Sequence, residues 1–350
     1  MDIDVSGIPV TVSTGRLPAP ADVDEAIVAA AARALPHTEG AVADCIPTLA
    51  RADPGSFGVA LAEVGGEVHE WGDSRLEFSI QSVSKAFVYA LVCQELGHRA
   101  VHDRVGVNNT GLPFNSLMAL ELNGGHPGNP MVNAGALVTT SLVPGATPAR
   151  QWDRVRRCLG AFCGRELDVD EATYRAESRT NGRNRAIAEL LASYGHIEGD
   201  PVAVADVYTR QCSLAVTTRD LAVMGATLAD GGINPVTGER VVDPGVCRDT
   251  LAVLASTGLY ERSGEWLFEI GLPGKSGVSG SILTVSPGKA GIAAFSPRLD
   301  AVGNSVRAQR VTAHLSRSLG LDVFASATAR PTTAPPTTAR PTDEESHDQH

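Results

Sequence analysis

Ser82 and Lys85 are the two residues of this chain whose types and spacing best suit covalent catalysis. A serine becomes a nucleophile when a neighbouring base accepts its proton, and a lysine three residues further along a helix lies on the same face. An arginine cannot replace that base, because its guanidinium does not lose its proton in a protein. The chain holds only three lysines, Lys85, Lys275 and Lys289, against 26 arginines. A lysine at this position therefore indicates chemistry that needs a removable proton.

The segment that follows Ser82 predicts a buried helix. Residues 83–96 are apolar on nearly every face, and Gly97 supplies a stop signal. Ser82 is then expected at the N-terminal end of this helix, where free N–H groups and the helix dipole favour developing negative charge. Burial would lower the pKa of the Lys85 ammonium, as a general base requires. The competing interpretation is an N-capping serine followed by a lysine that extends to solvent.

A second lysine motif, Gly274-Lys275-Ser276-Gly277-Val278, directly precedes a predicted strand at residue 281. A Ser-x-x-Lys motif combined with Lys-Ser-Gly or Lys-Thr-Gly is similar to the motifs of serine β-lactamases and penicillin-binding proteins. Small residues here let a substrate approach the backbone, whose N–H groups can bind an oxyanion. The motif therefore predicts one wall of an active site, against the alternative of a glycine-rich turn with a surface lysine.

Composition and charge limit the class of protein. With 350 residues, 43% of them hydrophobic, the chain can bury a sizeable core, and its formal net charge of −11 argues against a nucleic-acid or membrane partner. The sequence shows neither an apolar run of transmembrane length nor signal-peptide features, so we expect a cytoplasmic protein. Six cysteines without a Cys-x-x-Cys pair predict free thiols and no metal site.

Predicted strands and helices indicate the fold class. Strand-like runs form two hairpins, at 57–64 with 68–73 and at 281–286 with 290–296. Because an isolated hairpin makes a poor sheet, we expect one antiparallel sheet, flanked by terminal helices at 22–35 and 305–319. The helical middle is then an inserted all-α domain. This α+β architecture is similar to that of serine β-lactamases and transpeptidases, with the Ser82 helix at the domain boundary.

The predicted boundaries divide the chain into three parts. Residues 1–21 form an N-terminal extension, residues 22–325 the catalytic domain, and residues 326–350 a Thr/Pro/Ala tail that we expect to be disordered. Within the catalytic domain, the sheet part covers about 22–80 and 266–325, and the helical part covers about 81–265.

Several longer motifs occur in order along residues 22–324. They are Phe78-Ser79-Ile80-Gln81-Ser82-Val83-Ser84-Lys85, Pro113-Phe114-Asn115-Ser116, Asn129-Pro130-Met131-Val132-Asn133-Ala134-Gly135-Ala136, Arg183-Asn184, Tyr208-Thr209-Arg210-Gln211-Cys212-Ser213, Met224 to Gly232, Lys275-Ser276-Gly277-Val278 and Ser296 to Ser305. Together they resemble one family, the serine-dependent glutaminases, which share the β-lactamase-like fold.

The resemblance implies hydrolysis of L-glutamine to L-glutamate and ammonia without a cofactor. Ser82 would attack the side-chain amide and form an acyl-enzyme, with Lys85 as general base. The backbone N–H groups of Ser82 and Val278 would form the oxyanion hole, and Tyr260 would act as a catalytic proton relay. The residues that match the family's substrate-binding positions are Ser82, Asn133, Glu177, Asn184, Tyr208, Tyr260 and Val278. The family also implies a homodimer or homotetramer.

Three departures from the family pattern affect the site. Cys45 precedes Ile46-Pro47-Thr48-Leu49-Ala50, where the family has a tyrosine whose hydroxyl lies near the catalytic serine. Asn108-Asn109 stand where Glu-Pro is usual, and Ser279-Gly280-Ser281 replaces a run of glycines. We therefore expect slower turnover or a shifted substrate preference, and we expect Cys45→Tyr to raise activity.

Two other functions are compatible with the same residues. A β-lactamase or D,D-peptidase would use the same scaffold, but its substrates lie outside the cytosol. A catalytically weak relative that only binds an amino acid would not need an intact pair of Ser82 and Lys85. Ammonia release from glutamine and hydrolysis of nitrocefin separate the three functions.

Overall fold

A five-stranded sheet and a large set of helices make up the part of the chain that the computed structural model describes, residue 8 and residues 15–326. The helices are α1 (Pro20–Ala34), α2 (Ser84–Leu96), α3 (His98–His102), α4 (Met118–Glu121), α5 (Asn133–Ser141), α6 (Pro148–Cys163), α7 (Glu171–Thr180), α8 (Gly182–Ser193), α9 (Pro201–Cys212), α10 (Thr218–Ala229), α11 (Pro244–Thr257), α12 (Ser263–Ile270) and α13 (Val306–Ser318). None of these helices is long and apolar enough to cross a membrane.

The strands are β1 (Ala41–Val42), β2 (Gly58–Glu63), β3 (Val68–Gly72), β4 (Phe78–Ser79), β5 (Ala215–Val216), β6 (Gly274–Gly277), β7 (Ser281–Ser286), β8 (Ala290–Phe295) and β9 (Arg298–Leu299). Short 3₁₀ turns lie at Leu49–Arg51, Gln81–Val83 and Tyr260–Arg262. The predicted tail beyond residue 326, and residues 1–7 and 9–14 of the predicted N-terminal extension, lie outside the described residues.

The central sheet joins the two hairpins that the sequence predicts. Its strands follow the order β3-β2-β8-β7-β6, and every neighbouring pair is antiparallel. Strands β2 and β8 bring the hairpins together, with Ala60 opposite Ala293. The prediction of a single antiparallel sheet is therefore confirmed. The structure adds β6 as an edge strand, so the Lys275 motif is itself part of the sheet, with Ser276 opposite Ile282.

Helices cover both faces of this sheet. Along β2, Val59 and Leu61 join the apolar cluster formed with α1 and α13, whereas Ala60 joins the cluster formed with α10, because side chains alternate along a strand. Helix α10 approaches closely: a Cβ atom on Gly291 of β8 would lie 2.2 Å from the Ala222 carbonyl oxygen. Only a glycine fits there. The sheet is thus the middle of three layers.

The segment between the hairpins is not purely helical, which corrects the predicted all-α insertion. Strand β5 pairs with β4 directly before the Ser82 turn, with Ala215 opposite Ser79. Strands of two residues carry no periodic signal that a sequence pattern can show. Helix α10 also lies in this segment, yet it packs on the sheet as well as on α6. Its residues are buried all around because it has neighbours on both sides.

Helix α2 is buried, as the sequence predicts, and lies where the sheet meets the helical segment. All residues from Ser84 to Cys93 are buried, and Gly97, with φ of 82°, ends the helix. Helices α5, α6 and α11 pack around it, while the preceding turn Gln81–Val83 contacts β6. The junction therefore brings residues from the sheet edge and from several helices to one place.

Candidate active site

Ser82 lies in a strained turn directly before α2, at the N-terminal end of the helix, as the sequence predicts. It is the middle residue of the 3₁₀ turn Gln81–Val83, which leads into α2. Gln81 has φ of 49°, in the left-handed region that residues other than glycine seldom occupy. Such a conformation persists only where surrounding contacts hold it. The Gln81 amide supplies two, since Nε2 donates to Ser79 Oγ (3.1 Å) and Glu177 Oε2 (3.3 Å).

Lys85 is enclosed by the protein one turn after Ser82. Its Nζ atom donates to Asn133 Oδ1 at 2.7 Å and to the Met131 carbonyl oxygen at 3.1 Å. Burial lowers the pKa of this ammonium to about 8, against the opposing effects of nearby groups that include Glu177. A pKa lowered this far makes the neutral form of Lys85 accessible near neutral pH. A lysine with an accessible neutral form can serve as a base.

A cavity of about 180 Å³ opens beside Ser82. Residues from four helices, α5, α7, α8 and α9, meet there with the Ser82 turn and the end of β6. Six of the residues that the sequence singles out line it: Ser82, Asn133, Glu177, Asn184, Tyr208 and Val278. Pockets for drug-sized ligands have volumes of about 300–1,000 Å³, so this cavity suits a smaller molecule such as a single amino acid.

Several amide side chains and a carboxyl group make the cavity polar. Asn133 Nδ2 donates to Asn184 Oδ1 at 2.9 Å, so that Lys85, Asn133 and Asn184 form one hydrogen-bonded chain. Glu177 is 7% exposed, and burial raises its pKa to about 7, although Gln81 and Lys85 lower it. A cation bound beside Glu177 would favour the ionised carboxylate. The cavity thus offers a ligand one anionic group, several neutral amides and one guanidinium group.

Two buried tyrosines lie near Ser82. Tyr208 lines the cavity, and Lys85 Nζ lies 5.9 Å from the centroid of its ring. Tyr260 lies outside the cavity lining, and its hydroxyl donates to the Ser276 carbonyl oxygen at 3.3 Å. Ser82 is near enough to this hydroxyl to lower its pKa slightly, against the larger effect of burial. Burial raises the pKa of both phenols, so both are protonated at neutral pH. A protonated phenol beside Ser82 can donate a proton during a reaction.

The end of β6 packs directly on the Ser82 turn. A Cβ atom on Gly277 would lie 3.2 Å from the Ile80 carbonyl oxygen and from Val83 Cγ2, so a larger residue would push the strand away. Gly277 thereby lets Val278 reach the cavity wall. Within residues 15–326, neither the Ser82 nor the Val278 backbone N–H donates to another group. Two free backbone N–H groups beside one serine hydroxyl are able to bind an oxyanion.

Lys275 does not line the cavity, which corrects the expectation that its motif forms the wall. The side chain is fully buried, and Nζ donates to the carbonyl oxygens of Gly258 (3.0 Å) and Ser276 (2.7 Å). Because successive side chains point to opposite faces of a strand, Lys275 and Val278 lie on opposite sides. The motif reaches the cavity through Val278 alone.

Several residues line the cavity although the sequence suggests no role for them. These are Ile46, Gln81, Phe114, Asn115, Thr180, Asn181, Arg183 and Cys212. Most of them belong to the motifs quoted above or lie beside those motifs in the chain, which is the only signal that the sequence offers. Cys45, one of the three departures from the family pattern, also lines the cavity and is exposed.

Relatives of this chain share most of its length. The sequence profile of the glutaminase family matches residues 40–324. Glutaminase 2 of Yersinia pestis is 51% identical over 321 residues, which cover 92% of this chain and 94% of the relative. A glutaminase of Colwellia psychrerythraea is 47% identical over 287 residues, which cover 82% of this chain and 92% of the relative.

Solved structures agree with the sequence comparison. The structure of a probable glutaminase superposes on this chain with a TM-score of 0.87 at 43% identity. The superposition covers 88% of this chain and 100% of the probable glutaminase. The protein Mglu, solved in its glutamate form, superposes with a TM-score of 0.82 at 40% identity, covering 89% of this chain and 71% of its own. Both comparisons confirm the family that the motifs indicate. The chain belongs to the glutaminase family of amidohydrolases.

Proposed function

We propose that the chain hydrolyses the side-chain amide of L-glutamine to L-glutamate and ammonia, with Ser82 as nucleophile and Lys85 as its base. The observation that carries the proposal is the enclosed Lys85, one turn from Ser82, with a pKa lowered to about 8. Its relative Mglu has been solved in a glutamate form, which supports glutamine and its product as the ligands. The chemistry needs no cofactor.

Acylation begins when Ser82 Oγ attacks the carbon of the substrate's amide group. Neutral Lys85 takes the serine proton, and the N–H groups of Ser82 and Val278 bind the negative charge that forms on the amide oxygen. The C–N bond then breaks, and the leaving nitrogen receives the proton through the Tyr260 hydroxyl and departs as ammonia. A γ-glutamyl ester remains on Ser82, and Lys85 is neutral again.

Deacylation repeats these roles with water as the nucleophile. Neutral Lys85 takes a proton from the water molecule that attacks the ester carbon, and the same two N–H groups bind the second oxyanion. The bond between the carbonyl carbon and Ser82 Oγ breaks, and Lys85 returns the proton to the serine. The product is L-glutamate.

The charged groups of free glutamine fit the polar groups of the cavity. Glu177 provides an anion for the α-ammonium, while Asn133 and Asn184 provide neutral donors for the α-carboxylate. A site built for both groups leaves buried polar atoms unpaired when a ligand lacks one of them, so it rejects such ligands. Tyr208 closes the wall beside Lys85.

The arrangement of the fold supports a β-lactamase and transpeptidase-like architecture. Two parts of the chain meet at the Ser82 turn: a sheet part, residues 22–80 and 266–325, and a helical part, residues 81–265. In enzymes of that architecture the active site lies between the sheet part and the helical part. The assignment of residues 22–325 to one catalytic domain rests on this arrangement. Assembly as a homodimer or homotetramer rests on the family resemblance, whereas a cytoplasmic location rests on the sequence features described in the first section.

Ammonia release is the direct test of the proposed reaction. We expect the chain to release ammonia from L-glutamine and to act much more slowly on L-asparagine, whose shorter side chain places the amide carbon away from Ser82. Nitrocefin should remain intact. Folded protein that binds glutamine without releasing ammonia would support the amino-acid-binding alternative, and nitrocefin hydrolysis would support the β-lactamase alternative.

The kcat/KM for glutamine is expected to rise between about pH 6 and 9. Lys85 must be neutral to accept the serine proton, and with a pKa of about 8 its neutral fraction grows as the pH rises. Glu177 must be ionised to bind the ammonium, and its pKa of about 7 adds to the same rise. Steady-state kinetics in overlapping buffers measure the profile. A fall in kcat/KM over this range would contradict both assignments.

Cys45→Tyr is expected to raise kcat for glutamine by about tenfold, which corresponds to ~1.4 kcal/mol of activation free energy. Cys45 is exposed as a residue, but its thiol is partly desolvated, and this desolvation and the Glu177 charge raise the pKa of the thiol. Cys45 therefore contributes a neutral, weakly hydrogen-bonding group to the cavity. A tyrosine hydroxyl donates a stronger hydrogen bond. Cys45→Phe, which adds the ring alone, is the control. Unchanged or lower kcat for Cys45→Tyr would refute the prediction.

Gly277→Ala is expected to lower kcat by about tenfold, a part of the 10²–10³-fold loss that follows removal of an oxyanion-hole donor. The added methyl group would press on the Ile80 carbonyl oxygen and shift the Val278 N–H away from Ser82. Gly245→Ala on α11 is the control, since its methyl group would meet no other atom within 4 Å. Equal kcat values for the two variants would argue against this N–H group as a donor.

A further inference from the structure

Lys275 is a second fully buried lysine, and the proposed reaction leaves it without a role. It lies on the edge strand β6, outside the cavity lining. Burying an amino group is costly unless hydrogen bonds replace those that it makes to water. The two carbonyl groups that accept from Nζ, those of Gly258 and Ser276, offset that cost. A shorter apolar residue would avoid the cost altogether, so the choice of lysine points to a specific task.

The two carbonyl groups belong to the segments that hold Tyr260. Gly258 follows α11 and lies two residues before Tyr260. The Ser276 carbonyl oxygen accepts from the Tyr260 hydroxyl at 3.3 Å as well as from Lys275 Nζ at 2.7 Å. The backbone N–H of Ser276 also donates to the Gly258 carbonyl oxygen at 3.2 Å. Lys275 therefore connects the chain that leads into Tyr260 with the strand that binds its hydroxyl.

Lys275 also contacts the Tyr260 ring directly. Its Nζ atom lies over the face of the ring, 4.7 Å from the ring centroid. The Phe114 ring contacts the same tyrosine, with the two ring centroids 4.8 Å apart. Residues from other segments of the chain therefore contact both the ring of Tyr260 and the backbone that leads into this residue.

Tyr260 needs such support because its backbone is strained. Its φ of 55° lies in the left-handed region, which is costly for a residue with a Cβ atom. Within its own turn, Ser263 Oγ donates to the Tyr260 carbonyl oxygen at 2.9 Å and accepts from the Leu259 N–H at 3.0 Å. These bonds hold the backbone but do not reach the hydroxyl. A strained residue of this kind is kept in place by the structure around it.

We infer that Lys275 is a positioning residue that holds Tyr260 in its left-handed conformation, with the hydroxyl beside Ser82, through the Gly258 and Ser276 carbonyl groups and the Tyr260 ring. This role rests on the proposed function of Ser82 and Tyr260. It differs from a contact with the substrate, because Lys275 lies outside the cavity lining. Loss of Lys275 should therefore act on kcat through Tyr260.

Lys275→Met tests the inference, because methionine keeps the length of the side chain and removes both donated hydrogen bonds. We expect kcat for glutamine to fall by about 10²-fold, as for the loss of a proton-transfer group, while KM changes by less than about twofold. In a Tyr260→Phe background the same substitution should change kcat by less than about twofold, since no hydroxyl remains to be positioned.

Lys289→Met is the matched control. Lys289 is also a buried lysine, and it lies in the turn between β7 and β8, outside the cavity lining. Its Nζ donates to the Gly320 carbonyl oxygen at 2.8 Å. We expect this variant to lose stability but to keep kcat. If Lys275→Met does not fold, as thermal unfolding would show, Lys275→Gln takes its place. Glutamine retains a donor amide and should show the same dependence on the Tyr260 hydroxyl with a smaller loss.

Equal losses of kcat in the Tyr260 and Tyr260→Phe backgrounds would overturn the positioning role, and so would a raised KM with unchanged kcat. A crystal structure of the Lys275→Met variant gives a readout that does not depend on activity. In it Tyr260 should leave the left-handed region or withdraw its hydroxyl from Ser82; an unmoved Tyr260 contradicts the inference. Wild-type protein that releases no ammonia would refute the proposed function instead, while the crystal structure would still decide the role of Lys275.

Discussion

Ser82→Ala is expected to lower kcat for glutamine by at least about 10⁴-fold, because removal of a serine nucleophile leaves only binding and oxyanion stabilisation. The fold should be unaffected. The N-cap of α2 is Val83, and Ser82 makes no capping hydrogen bond. If Ser82 only capped the helix, its loss would instead cost about 1 kcal/mol of stability and leave kcat unchanged. The structure thus separates the catalytic role from the capping role.

Ammonia release and thermal unfolding, measured on the same preparation, test this prediction. Ser316→Ala is a suitable control, since Ser316 is buried on α13 and its hydroxyl donates to the Ile270 carbonyl oxygen outside the cavity lining. That variant should lose stability and keep kcat. A Ser82→Ala variant that retains more than about one hundredth of kcat would contradict Ser82 as nucleophile.

Lys85→Met is expected to lower kcat by about 10²–10⁴-fold, the range for loss of a general base. Methionine fills a similar volume but has no proton to exchange. Two acceptors, Asn133 Oδ1 and the Met131 carbonyl oxygen, lose their donor, whereas the cost of burying a charge disappears. These effects oppose each other, so we expect folded protein with much reduced activity.

The pH dependence of the Lys85→Met variant is the more specific readout. In the wild type the neutral fraction of Lys85 grows as the pH rises through about 8, and that part of the rise in kcat/KM should vanish in the variant. Lys289→Met again serves as the control and should keep the wild-type profile. A Lys85→Met variant that preserves the rise through pH 8 would assign it to another group and exclude Lys85 as the base.

The hairpins and terminal helices are predictable from the sequence because their signals are local. Strand-like runs and the turn residues Gly65-Gly66 and Pro287-Gly288 mark strands β2, β3, β7 and β8 to within a residue or two. Strand β6 is different, since Gly274-Lys275-Ser276-Gly277 has little strand propensity. Its extended conformation comes from pairing with β7, which is a tertiary interaction.

The residue types of the site are predictable, whereas their backbone conformations are not. Six of the expected residues meet at one cavity, with Lys85 and Tyr260 beside them. Nothing in the sequence around Gln81 or Tyr260 indicates a positive φ, because neither is a glycine. Distant contacts, such as the hydrogen bond from Gln81 to Glu177, 96 residues away, keep Gln81 in that conformation.

The position of the Lys275 side chain is likewise not predictable from the sequence. A motif that is similar to one of the penicillin-recognising enzymes predicts a lysine in the active-site wall, but the structure places it beside Tyr260 and outside the cavity lining. The sequence of β6 alone does not determine on which face of the strand the Lys275 side chain lies. Only the register with β7, in which Lys275 lies opposite Leu283, decides which side chain is buried and which reaches the cavity.

The most direct test of Ser82 as the nucleophile is to trap the acyl-enzyme. Protein mixed with glutamine and quenched in acid should yield a γ-glutamyl adduct on the peptide that holds Ser82, and Ser82→Ala should yield none. Cys45 and Cys212 also line the cavity, and burial raises the pKa of both thiols, so neither should react. An adduct on either cysteine, or ammonia release by Ser82→Ala at the wild-type rate, would contradict a serine nucleophile.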